Sequence, residues 1–245
     1  MNETTLPHQP VRFRSLLELA TNIAVFGAAC AIIWSLVFRG EPQLEPRSSL
    51  PVAELPTAPI SLAGAQTAGN AQAKVAILEF SDFQCPFCAR FSRDTLPEIR
   101  RRYIESGRVL LAFRHLPLTQ IHPLATQAAE GTECAARQGR FWAMHDAFFD
   151  GPADLSFAGV EVTARSLGLE MVQFDRCLAG EAAARVRADA AAAAGLRVTG
   201  TPTFFIGTLQ DGKLVATRRL AGALPIGEFA AALEPLLEST ARPRE

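Results

Sequence analysis

The stretch Val75–Cys88, VAILEFSDFQCPFC, limits this chain more than any other, because an apolar run of strand length gives way within a few residues to Cys-Pro-Phe-Cys. A short apolar run bounded by polar residues is consistent with a buried strand. Proline is favoured in the first turn of a helix, where its missing N–H costs nothing, so Pro86 predicts a helix start. Both cysteines therefore fall at a strand-to-helix turn. Unpaired N–H groups and the helix dipole there stabilise a thiolate, which makes Cys85 both a nucleophile and a good leaving group. Cys88, one turn later, is near enough to resolve a mixed disulfide.

Two other readings of the pair are weaker. A structural zinc site takes four ligands, commonly as two paired-cysteine knuckles. The five cysteines, at 30, 85, 88, 134 and 177, supply one C-x-x-C and no second knuckle, so no metal is expected. A structural staple closing so short a ring removes little chain entropy. Redox chemistry at Cys85–Cys88 is the expectation, with no cofactor.

The surroundings place that centre. With 24 basic against 25 acidic residues, no charge imbalance points to nucleic acid. Leu19–Phe38 carries no formal charge over 20 residues, enough at ~1.5 Å per residue to cross a hydrocarbon core of about 30 Å. No small-x-small cleavage site follows it, so an uncleaved membrane anchor is expected after a tail of residues 1–18, with Cys30 an inert thiol inside it. Arg12 and Arg14 before the run and Arg39 and Arg47 after it nearly balance, and the short N-terminal tail favours export of the larger part. Residues 39–73, with five prolines, read as a tether.

The pattern beyond predicts strand 75–80, a helix from Pro86 to about Ser106 bent by Pro97, strand 108–116 and an Ala-rich block of four or five helices over about 120–195. Strand 201–207, a turn at Asp211-Gly212, a partner strand from Lys213 and a helix over Pro225–Ser239 complete a folded domain over 74–240, with 241–245 as a tail. A βαβ unit joined to a ββα unit makes an α/β, thioredoxin-like layer with the helical block inserted between its halves. His115, His122 and His145 read as structural histidines, and Phe141, Trp142, Met144, Phe148 and Phe149 as core.

Four blocks in order, AILEFSDFQCPFCARF, FRHLPLTQIHPLATQAA, ECAARQGRFWAMHDAFF and VTGTPTFFIG, resemble the DsbA-like thiol:disulfide oxidoreductases of the thioredoxin superfamily. The resemblance covers about residues 70–240. It implies that Cys85 is the attacking, solvent-exposed cysteine and Cys88 the resolving one. Pro202 matches the superfamily's cis-proline, with Thr201 before it pairing to an extended substrate, and Phe87 lies among the substrate-facing positions. Glu79 matches the buried acid that assists proton transfer at the resolving cysteine; burial should raise its pKa. Some relatives carry a second disulfide in the helical block, which implies a Cys134–Cys177 bond.

The resemblance implies a disulfide-forming oxidase with its catalytic domain in a bacterial periplasm; it does not extend to the run at 19–38, which by its length makes the expected protein single-pass in the inner membrane. It would act on exported protein thiols and be regenerated by a membrane redox partner, DsbB-like or equivalent; a monomer is the default. Phe87 departs from the family, since many strongly oxidising relatives have histidine there, which favours the thiolate. A membrane-tethered reductase or isomerase is therefore one alternative, and a non-catalytic peptide-binding chaperone or adaptor is another.

Overall fold

A computed structural model describes residues 27, 28, 34, 55–151 and 153–241. Gly27, Ala28 and Trp34 are helical; the rest of the expected anchor at 19–38 and the tether up to residue 54 lie outside the described residues. Among those described, no helix is long and apolar enough to cross a membrane.

Strands β1 (Ile60–Ser61), β2 (Gln66–Ala68), β3 (Val75–Ser81), β4 (Val109–His115), β5 (Thr203–Gln210) and β6 (Lys213–Ala221) form one sheet in the order β1-β6-β5-β3-β4-β2. β3 is central, parallel to β4 and antiparallel to β5. Every residue of β3 and β4 is buried, which is why both read as continuous apolar runs rather than alternating ones. The stretch expected to be tether through residue 73 instead contributes β1, paired to β6 from Ile60↔Leu214, and β2, paired to β4 from Gln66↔Phe113. Edge strands of two and three residues are too short to carry a period, and burial of Ile60, Leu62 and Ala73 ties them to the sheet.

Strand alternation then sorts β3 onto two faces. Val75 and Ile77 pack with Phe91, Leu96, Ile99, Phe229 and Leu233, residues of helices α1 (Pro86–Asp94), α2 (Leu96–Ile99) and α8 (Ile226–Ala241). Ala76, Leu78 and Phe80 pack with Ala193 of α7 (Ala182–Gly195). Glu79 and Ser81 share the parity of Val75 and Ile77, so they face the layer that begins with α1.

The helix expected from Pro86 to about Ser106, bent by Pro97, is instead interrupted at Thr95, whose Oγ1 donates to Leu224 O at 2.9 Å. Pro97 opens α2, which continues as a π-helical turn over Arg100–Ile104; a proline without an N–H starts a helix more readily than it continues one. Between β4 and β5 lie α3 (Ala125–Ala136), α4 (Phe141–Phe149), α5 (Phe157–Ser166), α6 (Met171–Arg176) with a π-helical turn at Cys177–Glu181, and α7. Phe83, just before α1, anchors this block, with ring centroids 4.9 Å from Phe149, 5.5 Å from Phe148 and 5.7 Å from Phe113. The aromatic stripe on α4 is thus core, directly behind the Cys-Pro-Phe-Cys loop.

Candidate active site

Cys85 is the N-cap of α1, in extended conformation (φ −74°, ψ 121°), and Pro86 opens the helix. Its Sγ lies 3.4 Å from the carbonyl oxygen of Thr201, and the Thr201-Pro202 peptide is cis. Strand β5 begins at Thr203, two residues later than the expected start at Thr201. Two segments 116 residues apart in sequence therefore meet at one sulfur. Cys85 and Cys88 are free thiols. Against the expectation of a solvent-exposed attacking cysteine, Cys85 is only 4% exposed, because it sits in the seam between α1 and the segment carrying Pro202. The side chain open to solvent beside it is Phe87, 51% exposed, with the Arg90 guanidinium over its ring at 5.1 Å.

The two sulfurs are chemically unequal. A hydrogen bond from the Cys88 thiol is the largest influence on Cys85; the Thr201 side chain and the N–H groups of Cys88 and Phe87 add to it, and together they outweigh burial and bring its pKa down to about 5. Burial pushes the Cys88 thiol well above its ordinary value, and the adjacent Cys85 pushes it further. A thiolate is thus held at the outer position and a proton at the inner one. Burial also raises Glu79, to about 7, against the opposing influence of the Ser81 hydroxyl and the Arg100 charge.

Several polar residues at this site escaped the sequence reading. Asp82 Oδ1 accepts from Gln84 N at 2.7 Å, and its Oδ2 accepts from Leu118 N at 2.8 Å and lies 2.9 Å from His122 Nδ1. Gln84 Oε1 accepts from Leu124 N at 2.7 Å. These bonds clamp the loop before Cys85 to the loop before α3. Their signal was present in SDFQC, since an Asp two residues before another N–H favours such a turn, but the partners come from a different segment.

His145 and His115 are tied into polar contacts away from the cysteines. His145 Nδ1 lies 2.8 Å from Asp146 Oδ1, and Asp146 is gripped by Arg100 through two bonds of 2.7 and 2.8 Å. Burial lowers the pKa of His145. His115, Glu133 and Asp189 place one ligand atom each within 4.8 Å of one another. His115 Nε2 lies 2.8 Å from Glu133 Oε1, and Asp189 is held by Arg114 at 2.5 Å and by Arg185. Two guanidiniums on Asp189 oppose a cation there, and the cluster ties β4 to α3 and α7. A disulfide joins Cys134 of α3 to Cys177 after α6, with Cα atoms 5.6 Å apart.

The family described as Thioredoxin matches residues 63–221. Among solved structures, the chain resembles alpha-DsbA1 of Wolbachia pipientis, with a TM-score of 0.64 and 23% identity over 74% of this chain and 94% of that one. It also resembles BdbD of Bacillus subtilis, with a TM-score of 0.63 and 20% identity over 74% and 97%. At that identity the likeness shows the fold. A relative named Na(+)/H(+) antiporter NhaA 3, from Salinispora tropica, is 39% identical over 139 residues, 56% of this chain. The chain spans 21% of that relative's length.

Proposed function

Because the chain belongs to the thioredoxin family, we propose that it is a thiol:disulfide oxidoreductase which passes a Cys85–Cys88 disulfide to cysteines of exported proteins. The carrying observation is the unequal pair at the start of α1, with Cys85 against the Thr201 carbonyl and Cys88 buried beneath it. A substrate thiolate attacks the Cys85 sulfur, the bond to Cys88 breaks, and a mixed disulfide forms on Cys85. A second substrate thiol then releases the oxidised product and leaves Cys85 and Cys88 as a dithiol. Cys85 is the better leaving group of the two because it is the more stable thiolate. Thr201 and Pro202 line the place where an extended substrate would lie, and exposed Phe87 adds apolar surface beside it.

Net oxidation is favoured over reduction because every interaction that stabilises the Cys85 thiolate stabilises the dithiol form. A thiol whose pKa is about 5 favours the dithiol at pH 7 by roughly 2–3 kcal/mol, or about 60 mV for two electrons. These donors include the Cys88 thiol and backbone N–H groups, so the effect does not require histidine at position 87. Regeneration calls for a membrane oxidant, DsbB-like or equivalent, and for a catalytic domain outside the cytoplasm of a bacterial cell, held by the run at 19–38. Ion antiport is not carried over from the named relative, since the match covers 21% of its length.

The equilibrium potential against glutathione tests this reading. The expected value lies well above that of thioredoxin, about −270 mV; a value as low as thioredoxin's makes the protein a reductase or isomerase. Replacing Cys85 by Ser should abolish exchange, whereas a peptide-binding chaperone or adaptor would keep its function.

A further inference from the structure

The exchange cycle moves a proton on and off Cys88, a sulfur with no exposed surface, and the acid expected to serve it lies in β3 rather than on the cysteine's own helix. We propose that the Ser81 hydroxyl relays the proton between the Glu79 carboxyl and the Cys88 sulfur; this rests on the oxidoreductase reading and deepens it.

The geometry is a column on one face of the central strand. Glu79 and Ser81 are two residues apart in β3, so their side chains share the face toward α1. Both are 1% exposed. Among the described residues, neither Glu79 Oε2 nor Ser81 Oγ has a hydrogen-bond partner, which is unusual for buried polar atoms. Cys88 lies on the buried face of α1 and packs in one cluster with Phe113, the residue that pairs with Glu79 across the ladder. The Ser81 hydroxyl acts on both Glu79 and Cys88. Asp82, next in sequence, is committed elsewhere, with both carboxylate oxygens bonded to Gln84, Leu118 and His122. Arg100 is the charge that influences Glu79 from the α2 side, and its guanidinium is engaged by Asp146.

A serine hydroxyl both donates and accepts, and its hydrogen rotates to suit. When a substrate thiolate attacks Cys85, the Cys85–Cys88 bond breaks, a bond from substrate sulfur to Cys85 forms, and Cys88 leaves with the electron pair. Ser81 then gives its proton to Cys88 and takes one from Glu79. The products are a Cys88 thiol, a Glu79 carboxylate and an unchanged Ser81. In the reverse direction, Cys88 loses its proton through Ser81 to the Glu79 carboxylate, and its thiolate attacks the mixed disulfide.

The test follows reduction of the oxidised full-length protein by dithiothreitol between pH 5 and 9, using rapid alkylation and mass spectrometry. Ser81→Ala should slow the step at pH 7 by roughly a hundredfold, the lower end of the range for a lost general acid–base, and should remove the inflection expected near the Glu79 pKa of about 7. In a Glu79→Gln background the same change should add almost nothing, because the two residues act as one unit. Ser81→Thr should restore rate and inflection, and Ser81→Ala should remain folded across the pH range by circular dichroism, so that any lost rate reports the hydroxyl rather than the fold. The relay is overturned if Ser81→Ala retains the wild-type rate, keeps the inflection, multiplies the Glu79→Gln loss, or acts by unfolding the protein. If wild type and Cys85→Ser exchange disulfides equally poorly, the oxidoreductase reading itself fails and the relay falls with it; if only Cys85→Ser is inactive, that reading stands and the relay is judged alone.

Discussion

Two cysteine pairs occupy this domain, and exposure does not tell them apart: Cys85 and Cys88 are 4% and 0% exposed, Cys134 and Cys177 1% and 3%. Their surroundings do. Cys134 and Cys177 meet among the apolar side chains of the helical block, where little separates one sulfur from the other, and their bond closes a sequence separation of 43 residues. Cys85 and Cys88 straddle the start of a helix, with N–H groups directed at the outer sulfur and dry packing around the inner one. A long loop closed in a symmetric environment makes a staple. A short one closed across an electrostatic gradient suits an exchange centre.

The largest test of that contrast is Cys85→Ser, which should eliminate mixed-disulfide formation, while the pair Cys134→Ala with Cys177→Ala should leave exchange intact. Trapping of substrates with Cys88→Ser checks the same assignment, since the adduct should form on Cys85 and persist. Next in size, loss of the Cys134–Cys177 bond should cost ~4 kcal/mol by the chain-entropy argument, lowering Tm by roughly 8–16 °C in a domain of this size. An unchanged Tm would break the distinction between staple and exchange centre.

Glu79 supplies a smaller effect with a definite sign. Burial raises its folded pKa to about 7 from 4.5, so the wild type loses stability as pH rises from the unfolded value through the folded one. Relative to wild type, Glu79→Gln should therefore gain roughly 2–3 kcal/mol between pH 5 and pH 8, read from denaturant unfolding. Comparable in size is the Cys85 thiolate. With its folded pKa near 5 and an ordinary value of 9.0, the dithiol form should gain stability over the disulfide form as pH rises from 5 to 9, by roughly 2–3 kcal/mol at pH 7. Thiolate absorbance should titrate in step; a midpoint above 8 would remove the asymmetry.

What could be read in advance followed the range of the interaction. Pro86 and the cysteine spacing act over a few residues, so the strand-to-helix turn was legible. Glu79 stood out as the lone acid of an apolar run. Ser81 was equally legible by the period of two, but its meaning depends on Cys88 lying above that face. By contrast, β1 and β2 hold five residues between them and exist through their partners, β6 and β4. The break at Thr95 depends on Leu224, far along the chain. The cover over Cys85 depends on Thr201, which the pattern marks as a strand start and which only family resemblance ties to the cysteines.

The sequence by itself determined a helix beginning at Pro86 with one cysteine at its cap and another one turn in, because capping and proline chemistry are local. Tertiary structure decided that the Cys85 sulfur meets Thr201 across 116 residues, that Cys134 reaches Cys177, and that Glu79 is buried deeply enough for its pKa to rise. Those outcomes depend on distance and dielectric, which exist only once the sheet and its helices have closed around the site.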